Sequence, residues 1–171
     1  MPVRPFCLSL LLASCASIGA QAAGPDLLVF GAGATDVLRN QKSAAEVRFE
    51  YRPAWSLVPF VEPLLQIKPW AGLEVTTRGS LWGGAGILLD VPVGPFVVIP
   101  SFGVGGYERG SGKDLGSALE FRSQIEVGYV FRDQSRVTAA FSHLSNAGIT
   151  RRNPGTEALV VQYMLPIGRL F

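Results

Sequence analysis

Cysteine is almost missing from this chain of 171 residues, and the two present, Cys7 and Cys15, both fall in its first fifteen positions. That stretch reads as an export leader, so the remainder carries neither a disulfide framework nor a cysteine-held metal site. A strong excess of one charge is missing too: a net charge of +2 is too small to argue for nucleic acid as a partner. Nor does residue 24 onward contain an apolar run approaching the roughly 20 residues that a membrane helix needs, which excludes a helical membrane protein. No helical repeat or low-complexity segment appears.

The leader has the usual parts. Met1 to Arg4 gives a short positive start, Phe6 to Ala13 an apolar run, and Ala20-Gln21-Ala22 a small-x-small cleavage site. Residues 1–23 are therefore read as a signal peptide and 24–171 as one domain. A competing detail is Leu12-Ala13-Ser14-Cys15, which resembles a lipoprotein processing box and would leave a lipidated Cys15. Intact mass of the mature protein separates the two.

What the sequence does have is apolar content without apolar runs: 48% hydrophobic residues and 20 glycines. That suits strands exposing one apolar face to lipid. The decisive signal is period-two alternation, which sends successive side chains to opposite faces of a strand. Between Leu119 and Phe131, one face reads Leu119, Phe121, Ser123, Ile125, Val127, Tyr129 and Phe131, the other Glu120, Arg122, Gln124, Glu126, Gly128 and Val130. Four polar or charged residues in a row cannot face lipid, but in a barrel lumen they can pair with one another and with water. Val47, Phe49 and Tyr51 oppose Glu46, Arg48, Glu50 and Arg52 in the same manner.

The strand at 119–131 also exceeds the five or six residues usual in globular sheets and reaches the roughly 9–11 of a tilted membrane strand. The pattern predicts an all-β fold, an eight-stranded antiparallel transmembrane β-barrel of the outer membrane of a Gram-negative bacterium. Its strands are expected near 26–35, 44–53, 66–77, 80–90, 96–107, 117–131, 135–146 and 157–171. The turns at 90–95 and 132–135 then lie on the periplasmic side, with the longer loops at 36–43, 107–116 and 147–156 outside; 53–65, with Pro59 and Pro63, fits poorly as a short turn. The chain ends in Phe171 on an alternating strand, like the terminal aromatic by which such barrels are recognised for assembly, and Arg169 interrupts that apolar face where it can reach headgroup level. Trp55, Trp70 and Trp82 read as interfacial or lipid-facing anchors. Gly31-Ala32-Gly33 and Gly103 to Gly106 read as glycines in curved strands.

His143 is the sole histidine, and Ser145, two residues on, projects from the same face of its strand. Counting back by twos gives Phe141, Ala139 and Val137, so both continue the lipid-facing row. Glu157 likewise leads the outward row Leu159, Val161, Tyr163 and Leu165. Consecutive strands pair antiparallel, so Glu157 can fall beside His143. The chemical reading is Ser145 as nucleophile, His143 as general base and Glu157 orienting the imidazole. Oxyanion donors are sought among the side chains of Asn146 and Asn153 and the backbone N–H of Gly148. A hydrolase facing lipid at the outer rim meets an amphiphile of the outer leaflet. The plainer reading is that His143 and Ser145 are ordinary residues at headgroup depth; an ionisable Glu157 on the same lipid face weighs against it, because such groups are costly there.

Phe141-Ser-His-Leu-Ser-Asn-Ala-Gly-Ile149 with Asn153-Pro-Gly-Thr-Glu157 resembles the signature of the lipid A 3-O-deacylases of the PagL type. So does Lys113-Asp-Leu-Gly-Ser-Ala-Leu-Glu-Phe121 with Gly128-Tyr129, and the similarity covers about residues 96 to 171. The resemblance implies an outer-membrane barrel that hydrolyses the ester at the 3-position of lipid A without a metal cofactor. It carries His143, Ser145 and Glu157 over as the triad and favours Asn153 with Gly148 for the oxyanion hole. Residues 24–95 match only loosely, and the ending with Arg169 and Phe171 departs from the family pattern. Arg151 and Arg152 are candidate contacts to the phosphates of lipopolysaccharide, with a solvated loop pair as the plainer reading. Gly110-Ser111-Gly112-Lys113 fails as a phosphate loop, since Tyr107 stands where the first glycine belongs.

Two other classes compete: a structural or adhesive barrel without catalysis, and a soluble barrel binding ligands inside. The second needs an apolar lumen, which the row from Glu120 to Glu126 opposes. The lipid-facing wall also offers a surface for a homodimer.

Overall fold

A computed structural model describes residues 24–58 and 66–168. The expected leader at 1–23 with Cys15, and Pro59, Pro63, Arg169 and Phe171, lie outside the described residues. Eight strands follow one another: β1 Asp26–Thr35, β2 Ala44–Arg52, β3 Gln66–Thr76, β4 Leu81–Val93, β5 Phe96–Glu108, β6 Leu119–Val130, β7 Arg136–Ser145 and β8 Thr156–Ile167. Each pairs antiparallel with the next, and β8 closes on β1 with Asp26 opposite Ile167, giving a barrel without a free edge. The expected eight-stranded architecture holds. β4 runs three residues further than the sequence pattern suggests, which shortens its connection to Gly94-Pro95. Gly94, at φ 63°, supplies the left-handed backbone that two-residue hairpin loops demand.

Side-chain parity follows the alternation. On β6, Glu120, Arg122, Gln124 and Glu126 are buried, whereas Leu119, Ile125, Val127 and Tyr129 are exposed. Phe30, Val47, Phe49, Phe102, Phe141 and Val161 continue that exposed apolar wall around the barrel. An apolar surface of this extent is untenable in water and suits a hydrocarbon surround.

The lumen is filled rather than open. Arg52 bridges Glu50 at 2.6 Å and Glu126 at 2.8 Å, Arg122 meets Glu50 at 2.5 Å and also Glu74, and Arg48 reaches Glu46, Gln124 and Ser142. Such charges are costly to desolvate, and it is their mutual pairing that makes burial tolerable. Towards the end that carries the chain termini, Leu27, Val29, Leu88, Val97, Ile99 and Met164 pack as an apolar cluster beside a further ion group in which Asp90 meets Arg136 at 2.9 Å and Lys68 at 3.4 Å.

Two of the three tryptophans correct the expectation of lipid-facing anchors. Trp70 and Trp82 point into the lumen and are 2% and 1% exposed; only Trp55 is on the surface. The Arg122 guanidinium lies 4.0 Å from the Trp70 ring and 5.1 Å from the Trp82 ring, a favourable placement for a cation desolvated inside the barrel. Their indole N–H groups donate to the carbonyls of Ile87 and Glu120. Glycines make the room: a Cβ at Gly103 would stand 2.4 Å from Trp70 Cζ2, and one at Gly84 2.6 Å from Trp82 Cζ2. Gly103 therefore has a packing reason beyond strand curvature.

Candidate functional site

The antiparallel register of β7 and β8 places His143 directly opposite Glu157, and that of β6 and β7 places Ser123 opposite His143 and Phe121 opposite Ser145. All these side chains belong to the outward row, at the end of the barrel away from the chain termini. His143 Nδ1 lies 3.2 Å from Glu157 Oε1. The two partners differ sharply in exposure: the imidazole is 45% accessible, the carboxylate 9%. With Nδ1–H donating to the carboxylate, Nε2 keeps its lone pair, the tautomer a general base requires. Ser145 Oγ, one strand step further towards the rim, makes no hydrogen bond to the imidazole in this conformation. Such contacts commonly tighten only when substrate is bound.

Neighbouring loops cover the carboxylate. The Val37 N–H donates to the Glu157 carbonyl at 3.3 Å, and Arg39 Nη1 donates to the Pro154 carbonyl at 2.6 Å, so the β1–β2 loop holds the start of β8 from one side. Gly155 lies on the other, under the imidazole ring. Glu157 Oε2 is buried without a partner. Leaving a carboxylate oxygen unsatisfied costs stability, so its retention needs a reason beyond packing.

The β7–β8 loop is organised by Asn146, which is wholly buried. Its Nδ2 donates to the carbonyls of Leu115 and Arg152 and lies 3.1 Å from Thr150 Oγ1, while its Oδ1 accepts the N–H of Gly148 at 3.0 Å. Thr150 Oγ1 also donates to the Gly116 carbonyl, tying this loop to the β5–β6 loop. Ala147 and Gly148 take positive φ values of 53° and 80° to make the turn. Two of the three expected oxyanion donors, Asn146 and Gly148, are thus occupied with the loop's own structure. Asn153 differs: its Oδ1 accepts the Asn146 N–H at 3.1 Å, which fixes the amide beside the Ser145–Asn146 peptide, and its exposed Nδ2 has no partner. Arg151 is exposed, and Arg152 sits 3.5 Å from Asp114, which also meets Arg109 at 3.4 Å.

The sequence reading missed the loop ring that braces this end. Asp36, at φ 57°, accepts the N–H groups of Gln41 and Lys42 at 2.7 Å each and the Lys113 ammonium at 2.5 Å. Burial works to raise its pKa, yet the hydrogen bonds from Lys113, Lys42 and Gln41 outweigh it and hold the carboxyl below its ordinary range. Lys113, from the segment that fails as a phosphate loop, is thus a tether between the β1–β2 and β5–β6 loops. Both partners come from distant segments, and no local spacing signals their meeting.

Known proteins resemble the chain in three ways. The family described as Lipid A 3-O-deacylase (PagL) matches residues 65–166. A lipid A deacylase PagL of Bordetella bronchiseptica is 37% identical over 51 residues, 30% of this chain and 29% of that protein, so the aligned stretch spans less than a third of the relative's length. The crystal structure of the outer membrane enzyme PagL superposes with a TM-score of 0.65 at 23% identity, covering 82% of this chain and 99% of the other. That last likeness speaks for the eight-stranded fold.

Proposed function

From the premise that the chain belongs to the PagL family of lipid A 3-O-deacylases, we propose that it hydrolyses the ester-linked 3-hydroxyacyl chain at the 3-position of lipid A, using Ser145, His143 and Glu157 on the outer barrel wall. The protein is an outer-membrane barrel, and its reactive groups face the layer in which such a substrate resides. The observation that carries the reading is the 3.2 Å contact of His143 Nδ1 with Glu157 Oε1 on a wall that is otherwise apolar.

The chemistry runs in two steps. Nε2 takes the Ser145 proton as Oγ attacks the ester carbonyl, and Glu157 stabilises the imidazolium that forms. Asn153 Nδ2 is the donor open to the oxyanion, and the Gly148 N–H joins it if the contact with Asn146 lengthens on binding. Collapse of the tetrahedral adduct returns the proton to the departing 3-hydroxyl of the sugar and leaves an acyl-serine. Water, deprotonated by the same imidazole, then attacks the acyl-serine and releases the 3-hydroxy fatty acid. Arg151 and Arg152, both exposed in the β7–β8 loop, are the side chains proposed to meet the headgroup phosphates.

The test is mass spectrometry of lipid A from cells carrying the protein. Loss of one 3-hydroxyacyl group with the wild type, and none with Ser145→Ala or His143→Ala barrels that still show heat-modifiable migration, supports the reading. Full deacylation by both variants refutes it and favours a structural barrel.

A further inference from the structure

Gly155 is buried at a positive φ of 62°, two residues before Glu157, and it lies against the catalytic imidazole rather than against loop backbone alone. A Cβ built there would stand 2.6 Å from His143 Cε1 and 3.1 Å from Nε2, with Leu144 O more distant at 3.5 Å. Other glycines in the loops at this end behave otherwise: Gly79 and Gly148 have open space, Gly110 and Gly116 meet loop backbone, and Gly112 meets Ser80. We infer that Gly155 is a positioning residue: by carrying no side chain, it lets the imidazole rest on the backbone in the one place where Nδ1 faces Glu157 and Nε2 stays open to the substrate.

The physical case rests on which partner gives way. Carbon atoms pack at about 3.5–4.0 Å, so a methyl group at position 155 would push the ring by roughly 1 Å. The ring is the movable partner, because it is half-exposed at the end of a flexible side chain, while 155 is fixed between the Arg39 tether to Pro154 and the start of β8. The ring therefore relieves the collision, and beyond the backbone strain that any Cβ meets at φ 62° the cost falls on the geometry of the site. A displacement of about 1 Å in a reacting group lowers turnover on the order of 100-fold.

The inference rests on the deacylase reading, and the test separates the two. Wild type, Gly155→Ala, Gly155→Asn and Gly94→Ala are compared in micelles. Gly94 has the same backbone requirement, φ 63°, with open space for a Cβ and a place at the opposite end of the barrel, so it reports the backbone penalty alone. Asparagine tolerates positive φ better than alanine but also carries a Cβ, so it relieves strain and keeps the collision. Two readouts are taken: kcat and KM for lipid A, and the ring resonances of selectively labelled histidine, which report His143 alone because the chain has one histidine. The expected result is a fall in kcat on the order of 100-fold with KM little changed in both Gly155 variants, with shifted imidazole resonances. Gly94→Ala should match the wild type in both. Unmoved resonances in Gly155→Ala overturn the inference, as does a moved imidazole with kcat preserved. A wild-type protein without deacylase activity would instead overturn the functional reading while the resonances still judge the packing.

Discussion

Replacing Glu157 by glutamine keeps the shape of the side chain and removes its charge, which isolates what the carboxylate does for His143. One oxygen lies 3.2 Å from Nδ1 and the other is buried without a partner. A hydrogen bond to a charged group contributes about 1.5–3 kcal/mol, and the half-exposed imidazole places this one at the weaker end for the resting enzyme. The imidazolium formed in the transition state gains more from the carboxylate than the neutral ring does, so the loss falls on kcat. At about 1.4 kcal/mol per factor of ten, kcat for lipid A should drop roughly 10- to 100-fold with KM nearly unchanged. Stability should move the other way or not at all, because the variant no longer holds an unsatisfied charged oxygen, whose burial costs on the order of 1–3 kcal/mol. The assay pairs release of 3-hydroxy fatty acid from lipid A micelles with the temperature at which the heat-modified gel band appears. Wild-type kcat in Glu157→Gln would refute the reasoning. So would a loss of activity accompanied by a large fall in that temperature, since the carboxylate would then be structural.

Two further outcomes follow from the loops. Asn153→Ala removes the open amide beside the Ser145–Asn146 peptide, and kcat should fall about 100- to 1,000-fold if it is the oxyanion donor; steady-state kinetics checks it, and a change confined to KM would assign Asn153 to binding. Asp36→Asn tests the loop ring through pH. The folded carboxyl titrates below its ordinary value of 3.8, so the unfolded chain binds more protons at acidic pH. The contribution to stability is therefore fully present above the unfolded pKa and is lost as pH falls through the lower, folded one. Thermal unfolding at pH 7 should find Asp36→Asn less stable than the wild type, with the gap closing as the pH falls below the ordinary value of 3.8.

The barrel was legible because each strand repeats one rule. Alternation on β2 and β6 separates Glu46, Arg48, Glu50 and Arg52, or Glu120 to Glu126, from apolar neighbours, and once the lumen is known to be polar every other strand inherits an orientation. The same parity put His143 and Glu157 on the outer wall, and the antiparallel pairing of consecutive strands made them cross-strand partners. Trp70 and Trp82 were misassigned because an aromatic ring satisfies either face. Their direction is decided by Arg122 and by the space at Gly103 and Gly84, which lie on strands other than the ring's own or beside it in a glycine-rich run. The loops were legible as loops but not in their wiring. Asn146 and Gly148 look like free donors next to a serine, yet the carbonyls of Leu115 and Arg152 and the Asn146 side chain itself occupy them. Gly155 gives no sequence signal beyond a turn-like Pro-Gly pair; its contact with His143 emerges only when β7 and β8 are brought side by side.

The most direct measurement is mapping of the serine that reacts with a lipophilic fluorophosphonate, a probe that labels only activated hydroxyls. Peptide mass spectrometry should find the adduct on Ser145 in the wild-type barrel and lose it in His143→Ala. An adduct on another serine, or labelling of Ser145 that is indifferent to His143, would contradict the claim that these outward-facing residues form one catalytic unit.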